Sequence, residues 1–290
     1  MMSTEEILKQ VRKIEIDSKW FSSHTFAGKY RTAFKGTGVK FKEVREYQPG
    51  DDVRFIEWNV SARMGHPYVE VFEEERELPV YILVDVSAST IFGTSKQSKK
   101  DLILKLSADI SFSATSNNDK VGIVFFSDKI EKYIPPKRNK EHVRYIIEQL
   151  ITLKPISAKT NIGKALEFVT NISKHGSIIF IISDFVDDEY SNALGNAVRR
   201  HDVIGLKIYD RSDVSLPAVG LIEIKDTETG NRLMLNTSNE DTSRKYREQF
   251  LQIQNRTTNI FKQAGAGLLH FETGIDPIQR LQQFFLQRSK

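Results

Sequence analysis

Val80-Tyr81-Ile82-Leu83-Val84-Asp85-Val86-Ser87-Ala88-Ser89 is the stretch from which the fold is read. Residues 80–84 are all apolar or aromatic, which suits a strand buried on both faces of a parallel sheet. At its carboxyl end the chain changes abruptly to one carboxylate and two hydroxyls at alternate positions, Asp85, Ser87 and Ser89. In open α/β sheets, ligands bind in the crevice beyond the carboxyl ends of the strands. An oxygen-only group there, with no Cys or His, suits a small hard cation such as Mg²⁺.

Outward from this strand, the chain alternates between strands and helices. Helical spacing over 98–116 (Leu102, Leu106, Ile110, Ala114) is followed by a strand at 120–126. Helices are then expected near 140–151 and 161–174, a strand at 177–183, a helix near 189–200 and a strand at 202–209. Residues 221–235 read as a hairpin turning at 226–230, followed by a helix over about 241–264 that ends before Gly265. A strand at 267–271 and a last helix, with Asp276 as cap and Pro277 at its first position, complete the pattern. This succession predicts an α/β fold with a doubly wound, mainly parallel sheet and helices on both faces. Residues 79–290 form this domain, with the hairpin as an insertion. Residues 1–78 form an extension: a helix over 3–14 (Ser3 and Glu6 as capping box; Ile7, Val11 and Ile14 on one face), then short charged strands and loops.

Composition narrows the class. A chain of 290 residues with 39% hydrophobic and 28% charged residues suits a globular protein with a substantial core. The absence of Cys excludes disulfides, thiolate metal sites and cysteine nucleophiles, and fits a reducing, cytoplasmic setting. MMSTEEILKQ lacks the basic and apolar regions of a signal peptide. Apolar runs such as 177–182 are strand-length, too short to span a bilayer. The net charge of +4 is spread among nearly as many carboxylates as cations, which argues against nucleic acid as a partner. Lys137, Arg138 and Lys140 read as a solvated loop. The histidines at 24, 66, 142, 175, 201 and 270 show no ligand spacing.

Three segments can meet at one end of the sheet. The first offers Asp85, Ser87 and Ser89, the second Thr160 in Lys159-Thr160-Asn161-Ile162-Gly163, the third Asp184 after the apolar strand. Two carboxylates offset the charge of a divalent ion, and neutral hydroxyls fill further positions without quenching it. The ion then remains able to take an acidic group from a partner. These five positions include no His or Lys to serve as a base, so binding suits them better than hydrolysis. Each residue alone has a structural reading: Ser and Asp commonly end strands, and Thr160 could cap the helix it precedes.

DVSAS, Thr160 and Asp184 resemble the metal-ion-dependent adhesion site of von Willebrand factor A domains. The resemblance implies Mg²⁺, or another divalent ion such as Mn²⁺ or Ca²⁺, and a role in protein binding. It implies direct contact with the metal for Ser87, Ser89 and Thr160, and direct or water-mediated contact for Asp85 and Asp184. A longer string, GTGVKF, VREYQPGDDVRFIEWNVSAR and FEEEREL, closely resembles the signature of the bacterial family called domain of unknown function fifty-eight. That resemblance continues through NNDKVGIVFFSD, SDF, HDVIGLKIYD and DTETG. It implies a partner protein presenting Asp or Glu, a MoxR-type AAA+ ATPase, in assembly or maturation of other proteins or in envelope stress. The chain departs from the family at Asp210-Arg211-Ser212-Asp213, where Asp-Pro-x-Glu is often found, and no role is read there.

The segment 35–78 mixes Arg45, Asp51, Asp52, Arg54 and Glu57 with Phe55, Ile56, Trp58 and Val60. Trp58 is expected to anchor a small β unit against the core, and Gly50-Asp51-Asp52 to form a turn. Asp187 and Asp188 are expected in an exposed loop. The competing functional reading is a metal-dependent phosphohydrolase with Asp85 as nucleophile. Such chemistry prefers Asp-x-Asp, and this chain has Ser87 at the second acid's place.

Overall fold

A computed structural model describes residues 6, 9, 11–15, 37–76, 79–90, 98–225 and 232–288. Strand β3 (Val80–Asp85) is buried along its whole length. Its side chains alternate between two cores, as the two-residue period of a strand requires. Val80, Ile82 and Val84 point to one core, and Tyr81 and Leu83 to the other.

The first core is covered by α2 (Lys99–Ser116), α3 (Lys140–Thr152) and α8 (Ile278–Arg288), through residues such as Leu106, Ile110, Ile147, Leu281 and Phe285. The second is covered by α4 (Ile162–Ile172), α5 (Ser191–Val198) and α7 (Glu240–Ala264), through Leu166, Val169, Leu194, Ala197 and Phe261. Helix α2 is buried on nearly every face from Leu102 to Ala114, a wider burial than the expected four-residue stripe. It carries Ser107, Asp109, Ser111 and Ser113 into the core, and Ser111 Oγ satisfies itself on the Ser107 carbonyl at 2.6 Å.

Strands β4 (Val121–Phe126), β5 (Ile130–Lys137), β6 (Ile178–Ser183), β7 (Asp202–Tyr209) and β10 (Gly267–Glu272) join β3 in the order β10-β7-β6-β3-β4-β5. All neighbours are parallel except β4 and β5. From β3 the chain winds outward through β4 and β5, then returns to β3's other side at β6. The expected doubly wound, mainly parallel sheet is therefore present, and its topological switch lies between the carboxyl ends of β3 and β6.

Strand β5 departs from the expected pattern. It runs antiparallel at the sheet edge and carries Pro135 and Pro136, which a central strand does not tolerate. Gly122 in the neighbouring strand leaves room for it: a Cβ there would lie 3.0 Å from the Pro136 ring.

Ahead of the sheet, β1 (Thr37–Glu46) and β2 (Tyr68–Arg76) form an antiparallel pair, longer than the short strands expected. Helix α1 (Trp58–Met64) lies between them and ends at Gly65, whose φ of +77° suits the left-handed cap. The turn expected at Gly50-Asp51-Asp52 is present: Asp51 takes two bonds from Arg45 at 2.9 and 2.8 Å, and Asp52 accepts from Arg54 N. Trp58, at the helix start, is 71% exposed, so among the described residues it is not the anchor expected. Residues 11–15 are helical as expected, with Val11 buried and Glu15 bonded to Arg144 Nε at 2.8 Å, whereas Ser3 and Ile7 lie outside the described residues.

The expected hairpin is present as β8 (Leu221–Lys225) paired with β9 (Arg232–Asn236), and its turn at 226–230 lies outside the described residues. The short helix α6 (Arg211–Val214) follows β7 directly. Among the described residues, no helix is long and apolar enough to cross a membrane.

Candidate metal centre

Asp85 ends β3 and Ser183 ends β6, so adjacent parallel strands deliver both to the switch point. Asp85 is fully buried. Its Oδ1 accepts from Ser87 N at 2.9 Å and its Oδ2 from Ser183 Oγ at 2.6 Å. The Ser87 contact is an Asx-type turn that bends the chain off the strand and sets the direction of the next residues. Ser87 is itself buried, and its Oγ lies 3.1 Å from Ser89 Oγ. Thr90 Oγ1 donates to the Ser87 carbonyl at 2.8 Å and holds the turn closed. The chain past Val86 closes into a 3-10 turn over Ala88–Thr90 instead of the extended alternation expected, and within this turn the Ser87 and Ser89 hydroxyls lie 3.1 Å apart.

The second segment reaches the same place. Ala88 N donates to the Ala158 carbonyl at 3.1 Å, which ties the turn to the loop carrying Thr160. Thr160 is not the helix cap. Asn161 takes that role, accepting from Lys164 N at 2.8 Å, and Asp187 Oδ2 accepts from Ile162 N at 2.7 Å. The Thr160 hydroxyl is left buried with no hydrogen-bond partner. A buried hydroxyl without a partner costs free energy. Asp187 therefore serves α4 and is only half-buried, while Asp188 is exposed and pairs with Arg256.

Asp184 follows β6 and is 5% exposed. The next residue, Phe185, sits in the left-handed region with φ 55°, and its ring packs edge-on against Phe261. That strained step directs the chain away so that the Asp184 carboxylate stays at the sheet end. Two lysines meet it. Lys99 Nζ lies 3.6 Å from Asp184 Oδ2 and 2.8 Å from Asp213 Oδ2, and donates to the Ser89 carbonyl at 3.3 Å. Lys207 Nζ donates to the Asp184 carbonyl. Both ammonium groups are nearly fully buried.

The five motif positions include no Lys, and the fold brings these two lysines to them from other elements. Lys207 had a sequence signal, a charge within the otherwise apolar strand 203–208. Lys99 and Asp213 had none, because each belongs to a different helix start. Asp213, in the segment to which no role was given, is thus an ion-pair partner at this site, and Asp210 beside it is fully buried and accepts from Thr273 Oγ1 at 2.5 Å.

The electrostatics follow from burial. Desolvation, reinforced by the negative charge of Asp184, pushes Asp85 up to about 7, against the opposing hydrogen bonds from Ser183 and Ser87. Burial lowers Lys207 to about 8. Burial also opposes the charge on Lys99, but Asp184 and Asp213 outweigh it, so Lys99 is raised.

The donor set is hydroxyls and carboxylates. Among the described residues, no group of three or more His, Cys, Asp or Glu side chains is arranged to hold a metal. Any ion at the switch point would depend on Ser87, Ser89 and Thr160 for much of its shell. The orphaned Thr160 hydroxyl and the oxygen-only chemistry fit a hard divalent cation.

Known proteins share parts of this chain. It is 29% identical over 223 residues to "Uncharacterized protein Mb1516" of Mycobacterium bovis, covering 76% of this chain and 70% of that one. It is 26% identical over 128 residues to "Uncharacterized protein YeaD" of Bacillus subtilis, covering 42% of this chain and 30% of that one. Its fold resembles that of the conserved hypothetical protein BatB from Bacteroides thetaiotaomicron, with a TM-score of 0.51 at 18% identity over 73% of this chain and 98% of the other. Residues 43–256, from within β1 through β9 and into α7, match the profile of one family, and the chain belongs to it: Protein of unknown function DUF58.

Proposed function

We propose that the switch point holds a divalent ion, Mg²⁺ in the first instance, with which the protein grips an Asp or Glu of a partner. Ser87, Ser89 and Thr160 supply hydroxyl oxygens, and Asp85 and Asp184 supply carboxylates directly or through water. The buried, unpartnered Thr160 hydroxyl, on a loop that the Ala88–Ala158 bond ties to the turn of Ser87 and Ser89, carries this reading. An ion held mainly by neutral oxygens keeps its electrophilicity and can accept an outside carboxylate. Residues 79–290 are the binding unit, and residues 1–78 are its extension.

A binding role is favoured over phosphohydrolysis by the state of Asp85. A nucleophilic carboxylate must reach its substrate. Each Asp85 oxygen accepts one hydrogen bond at zero exposure, which leaves a lone pair for a small ion or a water but no open face for a phosphoester to approach. Lys99 and Lys207 do stand nearby, but each is tied to an acidic or carbonyl oxygen.

The sequence resemblance points to a MoxR-type AAA+ ATPase as the partner, in assembly or maturation of other proteins within the cytoplasm. The test is co-purification of that ATPase with wild-type protein, with and without chelator, and with Ser87→Ala/Ser89→Ala. The reading expects capture to require both serines and the ion. Capture that survives chelation and both substitutions contradicts it.

A further inference from the structure

We infer that Lys99, anchored by Asp213, is a built-in positive charge that competes with the ion and limits its affinity. This inference rests on the metal reading above and adds a residue that regulates it. Lys99 is 4% exposed, and its ammonium touches groups of two proposed ligands, the Asp184 carboxylate and the Ser89 carbonyl. Asp213 holds it there at 2.8 Å.

Lys99 Nζ stands 3.6 Å from Asp184 Oδ2 and so already offsets part of that carboxylate's charge. A divalent ion drawn to Asp184 would meet a like charge at a site shielded from water, where charges interact strongly. Lys99 therefore weakens the hold on the ion. Asp213 is only part-buried, so it can release or reseat the lysine from the surface side of the cluster.

The two anchors predict changes of opposite sign. Lys99→Met removes the competing charge, so Mn²⁺, titrated alone by calorimetry into the full chain, should bind at least about tenfold tighter. Asp213→Asn frees the lysine to turn toward Asp184, so Mn²⁺ should bind several-fold weaker. The double variant should return close to wild type. A purely structural role for the pair predicts weaker binding in all three, and that result overturns the assignment, as does unchanged affinity. Lys99→Gln, which keeps a hydrogen-bonding group opposite Asp213, takes the place of Lys99→Met should the latter not fold. Wild type that binds no Mn²⁺ removes the metal reading itself; wild type that binds Mn²⁺, with Lys99→Met no tighter, removes only the role of Lys99.

Discussion

Ser183 Oγ donates to Asp85 Oδ2 across 2.6 Å and so couples the ends of β6 and β3 at the point where the sheet reverses its winding. The same Ser183 oxygen accepts from Phe185 N at 3.0 Å, which fixes the step that follows Asp184. One hydroxyl thus positions both carboxylates of the candidate centre.

Ser183→Ala leaves a buried carboxylate oxygen and a backbone N–H without partners. Stability should fall by about 1–3 kcal/mol. Urea unfolding should show a lower midpoint with the slope unchanged; an unchanged midpoint would mean that the bond contributes nothing net.

Burial, reinforced by the charge of Asp184, raises Asp85 to about 7, above the ordinary 3.8 of an aspartate. A folded-state value above the unfolded one means that the folded protein holds the proton more firmly. The Asp85 contribution to stability is greatest in acid and declines as pH rises from 3.8 to about 7. An ion that needs the ionised carboxylate must displace that proton. Mn²⁺ affinity should therefore drop about tenfold per pH unit below about 7, with proton release visible in buffers of different ionisation enthalpy. A flat profile across that range would place Asp85 outside the ion's influence.

His270 behaves in the opposite sense. Burial first, then the charges of Lys207 and Arg280, depress it to about 4. Its neutral form favours the fold, so its contribution is complete above about 6.5 and is lost as pH falls toward 4. His270→Gln should flatten the acid limb of the stability curve in this interval, and a limb of unchanged steepness would contradict the assignment.

Gly205 of β7 faces Phe261 of α7, and a Cβ there would lie 2.5 Å from the ring. Gly205→Ala should overpack the second core and cost about 1–3 kcal/mol in thermal or urea unfolding. Trp58→Ala, at a side chain 71% exposed, should change stability by less than about 0.5 kcal/mol. A loss of several kcal/mol at Trp58 would restore the anchoring role that the fold does not support.

Much of this architecture was legible in local pattern. The apolar run at 80–84 identified a buried central strand because a parallel strand covered on both faces needs no polar side. Gly265, at φ 75°, ended α7 where the sequence places it, since few other residues occupy that region cheaply. Strand β5 was hidden by Pro135 and Pro136, which penalise a central strand but not an edge. Helix α1 was hidden by its length of 7 residues, too short for periodicity to register. At the candidate centre, Asp85, Ser87 and Ser89 were readable because they share one turn. Lys99, Lys207 and Asp213 were not, because only the sheet order brings their three elements together, and single-sequence patterns carry no information on which distant charges pair.

Direct titration of Mn²⁺ into the wild-type chain and into Ser87→Ala/Ser89→Ala, each with its α/β circular dichroism verified, tests the metal centre most directly. The prediction is one ion per chain in the wild type and at least about tenfold weaker binding in the folded double variant, since two of its oxygen donors are gone. No binding to the wild type, or equal binding to both proteins, would contradict it.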